Sequence, residues 1–225
     1  MAAVTRFIIG KLPKRSGDPP YWTALGVFYA MQAALQATLG HPDIQGKKVA
    51  VKGMGKVGTA LCRILYQHGA KIIGADINPA KIRIARKRFP EIQIVNPEDI
   101  HRRKIDIFVP CALGGDFNKR TIPQLRCQII CGGANNQLAT SEDGVRLHSW
   151  GILYIPDYLA NAGGLISVAG ELKRRGYSRK WVERAVKRIG KTTKHIIALS
   201  QKRNKPTSEI ADHLAERFFK VGARK

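Results

Sequence analysis

At 225 residues, with 44% hydrophobic and 24% charged residues, the chain is long enough for one large domain or two small ones with a sizeable apolar core, and it lies far from the disordered regime. Its 39 lysines and arginines against 16 acids give a formal net charge of +23, which favours contact with polyanions but carries no information about fold. No nucleic-acid motif accompanies that charge, so a solvated basic surface is the preferred reading and nucleic acid a possible but disfavoured partner.

No apolar run reaches bilayer length. The longest candidate, ILYIPDYLANAGGLISVAG, is interrupted by Asp157 and Asn161, so no membrane partner is expected. Cys62, Cys111, Cys127 and Cys131 form no CxxC pair and have no histidine at metal spacing, which points to free thiols in a reducing cytoplasm.

Residues 1–19 read as a linker-like segment, basic and without an acid before Asp18; a short apolar patch and no small-residue cleavage site weigh against a transit peptide. After the turn signal SGDPP, residues 20–39 are predicted helical with Leu25, Phe28, Met31, Leu35 and Leu39 on one side, ended by Gly40 and Pro42. The pattern then alternates. KKVAVKG, KIIGAD, IQIV, IDIFVP, QIICGG and ILYIP read as strands; KVGTALCRILYQHGA, PAKIRIARKRF, SEDGVRLHSWG and NAGGLISVAGELKRR read as helices, and TIPQL as a helical turn. Such alternation predicts an α/β fold, a doubly wound parallel sheet over residues 20–177. From Ser178 to 225 the pattern is helical throughout, an extension in which Val182, Val186, Ile189, Thr193 and Ile196 form one mainly apolar stripe. Lys180, Arg184, Lys187, Arg188, Lys191 and Lys194 occupy its other faces, most simply as a solvated surface.

The segment GMGKVG carries the strongest chemical signal. A lone GxGxxG is weak, but this one follows a predicted strand, opens a helix and precedes Asp76 at the end of the next strand. Gly53 permits the tight turn, Gly55 lets the backbone approach a pyrophosphate, and Gly58 lets the helix pack closely. The helix N-terminus offers unpaired N–H groups and positive partial charge to phosphates. Asp76 would accept hydrogen bonds from ribose hydroxyls and repel a 2′-phosphate, favouring NAD over NADP, a preference that Lys81 and Arg83 could soften. Three further stretches, PCALGG (110–115), GGANNQL (132–138) and PDYLANAGG (156–164), fall where strands end, on the side that holds ligands in such sheets. One such loop would be read as a plain turn; three at successive strand ends favour close backbone approach to a flat polar ring.

Together, SGDPPYWTALGVF, GMGKVG, ADIN, FVPCALGG, GGANNQL and YIPDYLANAGGLI resemble the dinucleotide-binding domain of the Glu/Leu/Phe/Val dehydrogenase family, nearest its leucine/valine/phenylalanine branch, from about Thr5 to near Phe218. The resemblance implies a Rossmann domain with flanking N- and C-terminal helices, NAD as cofactor, and oxidative deamination of an L-amino acid to a 2-oxo acid and ammonia. It places Thr23 at the nicotinamide carboxamide. Gly53, Gly55, Lys56, Val57 and Gly58 would hold the pyrophosphate and Asp76 the ribose, with Ala112 and Asn135 along the adenine-to-nicotinamide path. Asn161 would lie near nicotinamide and amino acid. Leu165 and Val168 fall where the family shapes its side-chain pocket; both are apolar, which points to a branched aliphatic or aromatic substrate, with ordinary helix core as the plainer reading.

The family's lysine-bearing GGxK motif and its catalytic aspartate belong to an N-terminal substrate domain, and nothing here matches them; Lys11 and Asp18 sit in the segment leading into the cofactor domain. The chemistry needs a lysine to polarise the developing carbonyl and a carboxylate to shuttle protons. No catalytic residue is therefore assigned, and the chain is expected to be inactive alone and to work with a substrate domain supplied separately, as a homo-oligomer or with a partner chain. Ser167 and Gly170 replace the Asn and acidic residue usual in the branch. Two other readings remain at this level: a non-enzymatic NAD-binding or redox-sensing module whose basic surface meets an acidic or nucleic-acid partner, and a fragment that neither binds nor reacts.

Overall fold

The computed structural model describes residues 18–173 and 176–222, with side chains up to Arg217. The lead-in segment 1–17, Lys11 included, lies outside the described residues. Six strands, β1 (Lys48–Lys52), β2 (Lys71–Ala75), β3 (Gln93–Ile94), β4 (Ile107–Pro110), β5 (Ile129–Ile130) and β6 (Leu153–Tyr154), form one sheet in the order β3-β2-β1-β4-β5-β6. All five pairings are parallel, with Val51 of β1 opposite Gly74 on one side and Val109 on the other. This is the doubly wound arrangement expected of the alternating pattern. The chain order reverses between β1 and β4, and that reversal opens a crevice at the strands' carboxyl ends.

Side-chain alternation divides the sheet between two cores. Val49, Val51, Ile107 and Val109 face a layer built from α1 (Pro19–Leu39), α2 (Lys56–Gln67) and α3 (Pro79–Arg88). Ala50 and Phe108 face the opposite layer, where Leu147 of α4 (Ser141–Ser149) and Ile122 of a 3₁₀ turn cover them. Asn78 caps α3 by accepting the Ala80 amide at 2.9 Å, and Thr140 with Asp143 makes a capping box on α4.

The helix α1 is buried more widely than a single stripe. Trp22, Ala24, Val27, Ala30 and Ala34 are buried beside Phe28, Met31 and Leu35, whereas Leu25 and Leu39 are half-buried. The reason is position, since α1 is wedged among α2, α6 (Gly163–Glu171) and α7 (Arg179–Arg203). At the α1–α7 crossing a Cβ on Gly26 would come within 2.8 Å of Ile189 Cδ1, so the helices touch backbone-close. The stripe Val182, Val186, Ile189, Thr193 and Ile196 is buried as expected, and its first three residues share a core with α1.

Local details differ from the sequence pattern. The C-terminal region is two helices, because Asn204 takes a left-handed conformation (φ 50°) and Pro206 precedes α8 (Thr207–Gly222). A hydrogen bond from the Thr207 hydroxyl to the Tyr154 carbonyl and one from Tyr158 Oη to Asp212 (2.5 Å) tie α8 to the sheet's far edge. A short helix α5 (Asp157–Ala160) forms within the expected strand-end loop before α6, and a 3₁₀ turn at Ile100–Arg102 has no counterpart in the hydrophobic pattern. No helix among the described residues is long and apolar enough to cross a membrane.

Candidate functional site

The crevice between β1 and β4 brings the glycine turn to the centre of the molecule. Gly53 adopts φ +105°, and a Cβ there would stand 2.6 Å from the Cys111 carbonyl, so neither the conformation nor the space admits another residue. A Cβ on Gly58 would lie 1.9 Å from the Gly53 oxygen, which shows that the first turn of α2 sits directly on the glycine turn. Gly55 is different. It is the N-cap of α2, provides no capping side chain, and faces open space with no atom within 4 Å of a would-be Cβ. That opening belongs to a groove bounded by α1, α2 and α3, whose walls include Met54, Lys56, Arg63, Lys81 and Arg88. The uncapped N-terminus of α2 and Lys56, its exposed first residue, thus meet an accessible hollow.

Asp76 follows β2 directly, with its side chain 5% exposed. Its Oδ2 accepts the Met54 amide at 2.7 Å and its Oδ1 the Asn78 amide at 2.8 Å, so it braces the glycine turn from the neighbouring strand. Lys81 Nζ stands 3.4 Å from Oδ2. Oδ1, which accepts only the Asn78 amide, retains a second lone pair, so the brace leaves capacity to accept a hydroxyl.

The remaining candidates gather at the other end of the crevice. Thr23 on α1 donates its hydroxyl to the Pro19 carbonyl at 2.9 Å and packs against two glycines: would-be Cβ atoms on Gly164 and Gly133 lie 2.5 Å from its Oγ1 and 3.8 Å from its Cγ2. Val57 fills the space beside Gly133, where a Cβ would meet its Cγ1 at 2.7 Å. Asn161 Nδ2 donates to Asn135 Oδ1 at 2.7 Å, bringing together two loops 26 residues apart. Ala112 is exposed on the loop after β4, beside Leu113 at 85% exposure. Leu165 projects from α6 at 73% exposure, and Val168, one turn on, is half-buried. Leu165 is therefore not helix core. Cys111 is half-buried, and burial pushes its thiol up to about 11, so it stays protonated and unreactive near neutral pH.

Comparison with known proteins agrees with this fold. The family profile of glutamate/leucine/phenylalanine/valine dehydrogenases matches residues 16–82 and 80–215. The chain belongs to that family. It is 42% identical to leucine dehydrogenase of Geobacillus stearothermophilus over 214 residues, covering 94% of the chain and 58% of that enzyme. Valine dehydrogenase of Streptomyces albus is 37% identical over 230 residues, covering the whole chain and 63% of the relative. The crystal structure of L-tryptophan dehydrogenase from Nostoc punctiforme superposes with a TM-score of 0.88 at 37% identity, over 97% of this chain and 66% of that one. The chain thus spans about three fifths of the length of these sequence relatives.

Ser167 and Gly170, expected to differ from the family's leucine/valine/phenylalanine branch, have a packing context. Both are buried, and a Cβ on Gly170 would stand 2.9 Å from Val182 Cγ2, so α7 leaves no room there for an acidic side chain. The structure also reveals a cluster outside the family motifs. Lys52, Asp116 and His101 meet at the carboxyl ends of β1 and β4. The available signals were a lysine ending the strand before the glycine turn and an aspartate one residue past PCALGG; what joins them is pairing of β1 with β4.

Proposed function

We propose that the chain is the NAD-binding part of an amino acid dehydrogenase that oxidatively deaminates a branched-chain or other apolar L-amino acid to its 2-oxo acid and ammonia. The observation that carries this reading is the cradle at Gly55, open where a side chain would intrude and floored by the uncapped N-terminus of α2, with Asp76 braced beside it. These residues fit a dinucleotide: the turn from Gly53 to Gly58 with Lys56 and Val57 suits a diphosphate, and the Asp76 carboxylate suits ribose hydroxyls. Bound there, NAD would supply the hydride acceptor. The chain's own part is to hold and orient it, with Thr23, Ala112, Asn135 and Asn161 along the path to the nicotinamide and Leu165 and Val168 offering apolar contact to the substrate side chain. Groups that polarise a carbonyl and move protons are not matched in these 225 residues, so the reading includes such groups supplied from outside them. Four free thiols suit a reducing cytoplasm.

Titration of the purified chain with NADH by fluorescence tests this. Saturable binding is expected, weakened about tenfold or more by Asp76→Ala, which removes a charged acceptor. L-leucine should drive no NAD reduction by the chain alone. Absence of NADH binding contradicts the dinucleotide reading, and robust turnover contradicts the need for groups from outside.

A further inference from the structure

The wall of the crevice opposite the glycine turn is held by charged groups that no sequence motif includes. Lys52, the last residue of β1, forms an ion pair with Asp116 in the loop after β4, their side chains 20% and 10% exposed. His101 Nε2, on a side chain 6% exposed, lies 3.4 Å from the same carboxylate oxygen, and its ring stacks on Phe108 at 5.0 Å. Burial alone would push the Asp116 carboxyl up; His101 and Lys52 outweigh it and hold the group below the usual carboxylate range. Lys52 also acts through its backbone, because its carbonyl accepts the Cys111 amide at 2.7 Å. One residue therefore fastens the loop at both ends, and its neighbour in the chain is Gly53.

From Asp116 the ties continue into the next loop. Gly115 donates its amide to the Asn136 carbonyl at 2.7 Å, and Phe117 donates to the Gln137 carbonyl at 3.0 Å. Asn136 adjoins Asn135, so displacement at Asp116 is passed to both walls of the far end of the crevice. A buried ion pair is a weak source of net stability, because desolvation offsets most of the attraction, yet it strictly limits how the groups it joins can lie. At this place the limit bears on the gap between the glycine turn and the Ala112–Gly115 wall.

We propose that Lys52 and Asp116 are positioning residues of the dinucleotide site, a charged clamp that sets the spacing of the crevice and thereby the affinity for NAD(H). The proposal rests on the dinucleotide reading above. It is tested on the full chain by NADH titration and amide hydrogen exchange of the wild type, Lys52→Met, Asp116→Asn and Lys52→Arg. The two neutral variants should each weaken NADH binding about tenfold, the loss of a charge-assisted contact, while Lys52→Arg stays within about threefold of wild type. Their Gly115 and Phe117 amides should exchange about tenfold faster, with the Thr59 amide inside α2 unchanged. Lys52→Gln replaces any neutral variant that does not fold, with the same expected losses.

Equal NADH affinity in the wild type and neutral variants overturns the clamp and leaves the dinucleotide reading intact. So does a Lys52→Arg variant as weak as Lys52→Met, which would mark lost packing rather than lost charge. If the wild type itself binds no NADH, the dinucleotide reading falls and the affinity role falls with it; unchanged exchange at Gly115 and Phe117 would then show that the ion pair does not hold the loop either.

Discussion

The two ends of the crevice are built by different means. At the glycine-turn end the shape is set by backbone: Gly53 and Gly58 leave no room for a Cβ, and the Met54 amide is pinned to Asp76. At the far end it is set by side chains from distant segments, through the Asn161–Asn135 contact and, by way of the Gly115–Asn136 tie, the Lys52–Asp116 pair, with Leu113 and Leu165 left at 85% and 73% exposure. A backbone-built site cannot adjust to substitution without refolding, whereas a side-chain-built one can lose a contact and keep its fold. The first end should therefore be intolerant and the second tunable.

Substitution at each end puts that contrast at risk. The largest effect is expected at Gly58→Ala, where the new methyl would meet the Gly53 oxygen at 1.9 Å. Urea denaturation should show a loss of about 4 kcal/mol or failure to fold, the range reserved for severe core clashes. A loss below about 1 kcal/mol would mean that the turn is as adaptable as the loops. Next comes the charged pair, where Asp116→Asn leaves Lys52 without its partner and should cost about 3 kcal/mol at neutral pH. Because the Asp116 carboxyl is held below its ordinary value of 3.8 in the folded chain, its contribution is present above that value and is lost as pH falls through the lower folded one. The stability gap between wild type and variant should thus close on acidification below about pH 4, as followed by denaturation at stepped pH. A gap that does not change with pH would show that the carboxylate's charge is not what is lost. The smallest effect is expected at Asn161→Ala, where one partly exposed hydrogen bond should cost about 1 kcal/mol or less, with NADH binding weakened only a few-fold. A collapse of the fold there would erase the distinction between the two ends.

The same contrast governs what could be read from the sequence. The unit from Val49 to Asp76 is contiguous: its strand, glycine turn, helix and acidic residue follow one another, and each residue's identity carries its own physical reason. The parallel, doubly wound class of the sheet follows in the same way from alternating periodicity. Lys52 and Asp116, by contrast, are 64 residues apart and meet only because β1 pairs with β4, which no local pattern announces. The enclosure of α1 was hidden for a similar reason: alanines and a glycine become core positions only once α6 and α7 pack on them. The break at Asn204 was more accessible. An asparagine two residues before a proline is a helix stop, and residues 200–209 carry no aliphatic or aromatic side chain apart from that proline, so the break was legible in the sequence.

Gly55 separates the two requirements that Gly53 and Gly58 combine. Its φ of −73° is open to any residue and no atom stands within 4 Å of a Cβ, so Gly55→Ala should leave the unfolding midpoint unchanged. The added methyl would nevertheless occupy the cradle into which a diphosphate must approach. Calorimetric titration of the wild type and Gly55→Ala with NADH is therefore the most direct test that the crevice is a dinucleotide site. The account predicts binding by the wild type and a loss of about tenfold or more in an equally stable variant. Equal affinity in the two proteins, or no binding by either, would contradict it.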